Sequence, residues 1–379
     1  MSILFEPGTI KTLVIRNRLV RSATFEGMAN FEGRPLPELG RLYYRLAESD
    51  VGLIITSAAF VDRYKTLPDV SGLAYPTAMD DDSYIENWRP IVEGVHERGA
   101  GIAMQIVHPG RLDMPALRGG PAMAPSAVPD KSEQIAPRAM TQEEIADMVQ
   151  KFAQACRRVH EAGFDAVQLH GGHGYLISNF ISPYVNVRKD EYGGTTENRS
   201  RFVLEIVAAA RKFVGPDYPI MIKMNGEDYA PGGLDLEESV RVASLICRGG
   251  IDCIEVTGGT RPESDKYPSA KGINRPEKEA YFKAHAAALK KSVDVPIILV
   301  GGLRSPSVME KALAEGIADF VSLCRPLIRE PALVSRWKKG DLFRAICISC
   351  NQCGDNVFVR PLRCYVEEKL KEKAGEKTQ

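Results

Sequence analysis

Eight short apolar runs alternate with longer amphipathic stretches between Asn17 and about Pro331, and this alternation constrains the fold more than any other feature of the chain. The runs cover residues 19–23, 52–56, 102–107, 166–170, 220–224, 253–257, 297–300 and 320–323. Helix-like stretches at 37–49, 83–98, 141–162, 198–213, 236–248, 277–292 and 307–315 lie between them. Thr141-Gln142-Glu143-Glu144 reads as a capping box, and Asp235-Leu236-Glu237-Glu238 as a capped helix start. Gly163, Gly249-Gly250 and Gly316 fall where helices should end. Repeated strand-then-helix units with near-continuous apolar strands predict a parallel sheet covered by helices. Eight such units predict a closed (β/α)8 TIM barrel, an α/β fold, rather than an open sheet. The barrel is expected over residues 1–340, with a short cysteine-rich extension and charged tail over 341–379.

Two long connections interrupt the repeat, at 108–140 and 258–276. Loops of this length are uncommon unless functional. Both follow strands, so both belong on the C-terminal face of the barrel, where active sites form. The chain has 379 residues, within the range of a barrel with insertions. Formal net charge is zero, so no global field points to nucleic acid or an anionic membrane. The stretch from Met1 to Pro7 has no basic segment followed by a long apolar one, and no apolar run is long enough to span a bilayer. No signal peptide is expected, and the cytoplasm is the expected location.

Chemistry concentrates after the fourth run. His170-Gly171-Gly172-His173-Gly174-Tyr175 puts two imidazoles and a phenol within six positions, on a turn that leaves a strand. Imidazoles can donate hydrogen bonds to an oxyanion, and a phenol can supply a proton. Core packing of Tyr175 and a metal-binding histidine pair are the competing readings. Gly301-Gly302 follows the seventh run and precedes a helix opening near Ser305. Such a turn can present backbone N–H groups to a phosphate, with help from the helix dipole, and Arg325 can clamp the same group. The competing reading is a tight turn and a surface arginine. Lys223 interrupts an apolar run, which is costly unless it meets a charge or ligand or snorkels to solvent.

The eight cysteines divide into two sets. Cys156, Cys247, Cys253 and Cys324 sit singly in apolar segments and read as small core residues. Cys347, Cys350, Cys353 and Cys364 cluster near the end, with a spacing that favours metal over disulfides. Iron–sulfur, tetrahedral zinc and empty or redox-active thiols all remain open on spacing alone.

Taken together these segments resemble the old yellow enzyme family of FMN-dependent NAD(P)H oxidoreductases. The resemblance is carried by 5–18 with Lys11 and Asn17-Arg18, by 52–58, by Gln105-Ile106-Val107-His108-Pro109-Gly110-Arg111, by 170–183 continuing into 190–199, and by Gly301-Gly302 and Arg325-Pro326. It implies FMN bound by Thr24, Ala58, Gln105, Lys223, Gly301, Gly302, Cys324 and Arg325. It implies that His170 and His173 anchor a carbonyl oxygen and that Tyr175 acts as general acid. The first strand departs from the pattern. Phe25 stands where many relatives carry Thr or Cys, leaving Thr24 to make the flavin hydrogen bond. The terminal cysteines resemble the [4Fe-4S] run of 2,4-dienoyl-CoA reductase relatives, with one residue fewer between the second and third thiols. The implied activity is NAD(P)H-dependent reduction of α,β-unsaturated carbonyl compounds. A flavin and iron–sulfur electron-transfer subunit and a non-redox phosphate-binding barrel are the alternatives. Small-molecule substrates are expected, with self-association or an electron-transfer partner left open.

Overall fold

The sequence repeat becomes a ring because each apolar run serves two cores. The structure, a computed structural model, describes residues 2–64, 74–129, 136–260, 269–357 and 359–375. Parts of the two long connections (130–135 and 261–268) and the last residues of the charged tail (376–379) lie outside the described residues. The strands are β1 Gly8–Ile10, β2 Leu13–Ile15, β3 Leu19–Arg21, β4 Leu53–Phe60, β5 Gly101–Val107, β6 Met123–Ala124, β7 Arg138–Ala139, β8 Ala166–Gly171, β9 Ile220–Asn225, β10 Cys253–Thr257, β11 Ile297–Leu299 and β12 Phe320–Leu323. Eight of them close a parallel barrel in the order β10-β11-β12-β3-β4-β5-β8-β9. The helices are α1 Pro37–Glu48, α2 Ser83–His96, α3 Pro115–Arg118, α4 Gln142–Glu161, α5 Leu176–Ile181, α6 Thr196–Val214, α7 Leu236–Arg248, α8 Lys283–Ser292, α9 Pro306–Ala314, α10 Arg325–Arg329, α11 Leu333–Lys338, α12 Gln352–Asp355 and α13 Tyr365–Lys373.

Alternation along each strand sorts side chains between the two cores. Val167 and Leu169 of β8 pack outward under the helices, in the cluster that includes Phe152 and Phe202. Ala166 points inward, and joins Val20, Leu53, Ala103, Met221 and Phe320 in a separate core inside the barrel. The β1–β2 hairpin completes that inner core with Ile10 and Ile15. Lys11 Nζ lies 2.8 Å from Asp252 Oδ1, and Thr12 Oγ1 donates to Asp217 O at 2.8 Å, so the hairpin is tied beneath β9 and β10. It therefore stops the N-terminal end of the barrel. Toward the C-terminal end the inward positions turn polar, at Gln105, Gln168, Lys223, Glu255 and Ser322.

Helix starts follow the capping chemistry. The Thr141 hydroxyl accepts from Glu144 N while the Glu144 carboxylate accepts from Thr141 N, and Asp235 accepts from Glu238 N. The helix expected over 277–292 begins only at Lys283. Pro276–Lys278 forms one 3-10 turn, and Ala280 has φ 52°, a left-handed conformation that breaks the helix. Much of the charged tail forms a helix with no buried residues, α13, with Arg329 Nε 3.5 Å from Glu367 Oε2. The connection 108–140 carries α3 and the small parallel pair β6–β7. Among the described residues no helix is long and apolar enough to cross a membrane.

The inner core gives a stability prediction. Ile10→Ala removes a fully buried plug residue and should cost about 2–5 kcal/mol, read as a lower midpoint in urea unfolding. Val14→Ala, at a 69% exposed position of the same hairpin, should stay within about 0.5 kcal/mol.

Candidate active site

Just above the apolar plug, one buried carboxylate organises the barrel interior. Glu255 of β10 is fully buried. Its Oε1 accepts from Ser22 Oγ at 2.6 Å and Ser322 Oγ at 2.8 Å, and Oε2 accepts from Gln168 Nε2 at 3.0 Å. Lys223 Nζ lies 3.4 Å from Oε1 and donates to Ser22 Oγ at 2.8 Å. Gln105 Nε2 donates to Gln168 Oε1 at 2.6 Å, which extends the network to β5. Burial pushes the Glu255 carboxyl up, but Lys223 and the hydrogen bonds outweigh it and hold the group below the usual carboxylate value. Lys223 thus meets a charge and does not snorkel. Ala58 reaches this level by a β-bulge between Ile55 and Ala58 that sets it opposite Gln105.

At the end of β8 the chain turns over this polar floor. The rings of His170 and His173 lie 5.1 Å apart, and those of His170 and Tyr175 lie 4.6 Å apart. His173 adopts φ 61°, and its backbone N–H donates to Asn225 Oδ1 at 3.2 Å. Its Nε2 is 2.8 Å from Thr257 Oγ1. Asn225 is held in turn by Asp228 Oδ1, which accepts its Nδ2 at 2.8 Å. Gly172 is required here, because a Cβ would lie 2.9 Å from Asn225 Oδ1 and 3.0 Å from Thr257 Cγ2. Asn179 Nδ2 ties down Gly174 O at 2.7 Å, and Leu176 N donates to His108 O at 3.1 Å. Tyr175 is the N-cap residue of α5. The three expected residues therefore share one rigid turn, and Asn225, Thr257 and Asn179 hold it.

The expected phosphate corner lies across the mouth. In the ring of strands, β12 stands four places from β8, directly opposite. Cys324 Sγ lies 2.7 Å from Thr24 Oγ1, so the half-buried Cys324 faces the mouth rather than a core. Gly301 and Gly302 have φ 132° and 69°, and a Cβ on Gly302 would come within 2.8 Å of the Tyr281 ring. The Tyr281 hydroxyl accepts from Ala270 N at 3.4 Å, and Arg325 NH1 donates to Ala270 O at 2.7 Å, which brings the glycine turn and Arg325 into one corner. The residues just before α9 already hold a carboxylate, that of Glu279. Glu279 Oε2 accepts from Arg304 N at 2.7 Å and Ser305 N at 2.9 Å, and Oε1 accepts from Ser305 Oγ at 2.7 Å. A second anion there would be repelled.

One buried atom at the mouth lacks a partner and could take a ligand atom. His170 is 6% exposed and its Nδ1 is buried without a hydrogen-bond partner, a condition that calls for a ligand atom. The cysteines give a different result. Cys347, Cys350, Cys353 and Cys364 line one cavity with Arg325 and Asn351. Among the described residues, however, no group of three or more His, Cys, Asp or Glu side chains converges to hold a metal ion, so neither the [4Fe-4S] nor the zinc reading of these cysteines is shown. Burial pushes the Cys353 thiol up to about 12 and raises Cys347 as well, so these thiols are poor nucleophiles as they stand.

Sequence reading missed Glu255, Gln168, Ser22, Ser322, Asn225 and Thr257. Their signal was polarity at every second position near strand ends, as in Gln168 with His170 and Glu255 with Thr257.

Burial, and then Lys223, push the His170 imidazole down to about 3. An unfolded histidine takes up its proton near pH ~6.5, whereas the folded one stays neutral until about 3. Stability linked to His170 is therefore full above about pH 6.5 and is lost as pH falls from there toward 3, since the unfolded state binds more protons. His108, pushed down to about 4 by burial, acts in the same direction. The urea midpoint should drop between about pH 7 and about pH 5, and drop less in His170→Asn.

Residues 3–342 match the NADH:flavin oxidoreductase / NADH oxidase family. The chain is 39% identical over 371 residues to an NADH oxidase of Thermoanaerobacter brockii, covering 96% of this chain and 55% of that protein. It is 37% identical over 371 residues to a metal reductase of Desulforamulus reducens, covering 97% and 53%. The structure of 2-naphthoyl-CoA reductase with 2-naphthoyl-CoA superposes with a TM-score of 0.87 at 27% identity, over 96% of this chain and 56% of that one. The chain thus spans about half the length of these relatives, and the matches leave too few residues unmatched to omit the cysteine-rich extension. With its eight-stranded barrel and this match over nearly its whole length, the chain belongs to the NADH:flavin oxidoreductase / NADH oxidase family, the old yellow enzyme type.

Proposed function

We propose that this protein is an FMN-dependent oxidoreductase that draws on NAD(P)H to reduce the activated C=C bond of α,β-unsaturated carbonyl compounds. The observation that carries the reading is the turn after β8, where His170, His173 and Tyr175 stand ring to ring above a polar floor. Bound FMN supplies a centre that takes hydride from the nicotinamide and gives it to the alkene. Gln105, Lys223, Ala58 and Thr24 would border its ring system, with Cys324 beside Thr24, and Gly301, Gly302 and Arg325 would hold its phosphate across the mouth. Nicotinamide and alkene would use one pocket over the flavin in turn.

His170 and His173 hold the substrate carbonyl oxygen. That oxygen gains negative charge as the β-carbon is reduced, and fixed imidazole donors stabilise it without reorganising. His170 is neutral at physiological pH, so it acts as a hydrogen-bond donor rather than a fixed cation. Asn225 and Thr257 orient His173 for the same task. Tyr175 would supply the proton to the α-carbon from its phenol hydroxyl. The likeness to 2-naphthoyl-CoA reductase supports the substrate class, because the substrate in that protein's name is an acyl thioester conjugated with a ring C=C bond.

The cysteine cavity favours a second role for residues 341–379, beside the barrel of residues 1–340. Four thiols line one cavity, and their sequence resemblance to an iron–sulfur run favours a polynuclear [4Fe-4S] group over zinc there. Such a group would exchange electrons with a partner. Anaerobically purified protein should then contain iron and acid-labile sulfide in equal amounts, with a broad visible band. Zinc, or four alkylatable thiols and no metal, would remove the cluster.

The main reading is tested in single turnovers. Purified protein should show flavin absorbance and reduce cyclohexenone with NAD(P)H. Tyr175→Phe should slow the alkene half-reaction by about 10²–10⁴-fold while leaving the reaction with NAD(P)H nearly unchanged. Equal loss in both half-reactions would argue against Tyr175 as the proton source.

A further inference from the structure

Arg325 opens α10 immediately after the last barrel strand, and its side chain does not stand alone. NH1 donates to Ala270 O at 2.7 Å and to Asn351 Oδ1. Among the described residues all its hydrogen bonds run through NH1, which leaves the Nε and NH2 edge of the fork uncommitted. Asn351 belongs to the cysteine-rich extension, between Cys350 and Cys353, and is 8% exposed. Its Nδ2 donates to Ser269 O at 2.6 Å, and the neighbouring Ser349 O accepts from Gly272 N at 3.1 Å. Residues 269–272 are therefore gripped by Arg325 on one side and by the extension on the other. Asn351 holds its place in a left-handed conformation, φ 65°, which asparagine adopts more readily than most residues.

We propose that Asn351 is the positioning residue for Arg325. Its amide fixes one edge of the guanidinium so that the other edge meets the flavin phosphate, and through it the cysteine-rich extension sets how tightly FMN is held. The proposal rests on the FMN reading above. Its physical content is preorganisation: a long, mobile side chain is held in one rotamer before the ligand arrives, and a planar fork then binds a phosphate bidentately. The same amide lies in the loop that carries three of the four clustered thiols. The shape of the cysteine cavity and the aim of Arg325 are thus coupled through one side chain.

The test uses the full-length chain freed of flavin, titrated with FMN and with riboflavin, and followed by quenching of flavin fluorescence. Riboflavin lacks the phosphate, so it reports the ring site and its folding without Arg325. Asn351→Gly removes the amide while tolerating the left-handed backbone. It should raise the FMN dissociation constant about tenfold, the scale of a lost hydrogen bond to a charged group, and leave riboflavin within about twofold. Adding Asn351→Gly to Arg325→Ala should cost little beyond Arg325→Ala alone. Equal weakening of both flavins, unchanged FMN affinity, or full additivity with Arg325→Ala would overturn the proposal while leaving the FMN reading intact. A wild-type chain that took up neither flavin would overturn both.

Discussion

The structure turns on a single negative charge held inside the barrel. A carboxylate removed from water is expensive unless donors and a cation surround it. Glu255 meets that condition with Ser22, Ser322, Gln168 and Lys223, contributed by β8, β9, β12 and the residue after β3. Each partner reaches it only if its strand sits in the observed register. A shift of one residue in β9 would turn Lys223 outward and leave the carboxylate without its cation. The charge therefore fixes the height of the strand ends on which the mouth is built.

Two features above and below that charge give the barrel a direction. Beneath it the interior is apolar and stopped by the β1–β2 hairpin. Above it stand the histidine and tyrosine turn on β8 and the glycine and arginine corner on β11 and β12, on opposite sides of the ring. An elongated ligand with an aromatic end and a charged end suits such a mouth. Glu279 sharpens the polarity of that corner. It takes up the backbone N–H groups of Arg304 and Ser305, just before α9.

Much of this was legible in the chain, because it is local. The eight apolar runs, the capped starts at Thr141 and Asp235, and the turn from His170 to Tyr175 are each written within a few residues. The rest was hidden because it depends on distant pairing. Glu255 lies within Cys253-Ile254-Glu255-Val256-Thr257, which reads as another apolar run, and its partner Ser22 is 233 positions away. Glu279 falls inside a stretch that reads as helix, and the break at Ala280 lets it reach the Arg304 and Ser305 N–H groups before α9. The cysteine spacing was plain, yet whether four thiols converge on one ion is a property of folded geometry that spacing does not encode.

The seam that closes the ring has a consequence for biosynthesis. β3 finds one neighbour in β4, but its other edge is completed only by β12, with Leu19 opposite Val321. Arg18 NH1 bonds to Asp319 O across 301 positions. On the ribosome, the first strand must wait with a bare edge until β12 has emerged. Unpaired edges invite pairing with other chains, and contacts this far apart in sequence form slowly. Nascent or truncated forms that stop short of Leu323 would remain open sheets, so the most vulnerable moment for this protein comes just before its last barrel strand is delivered.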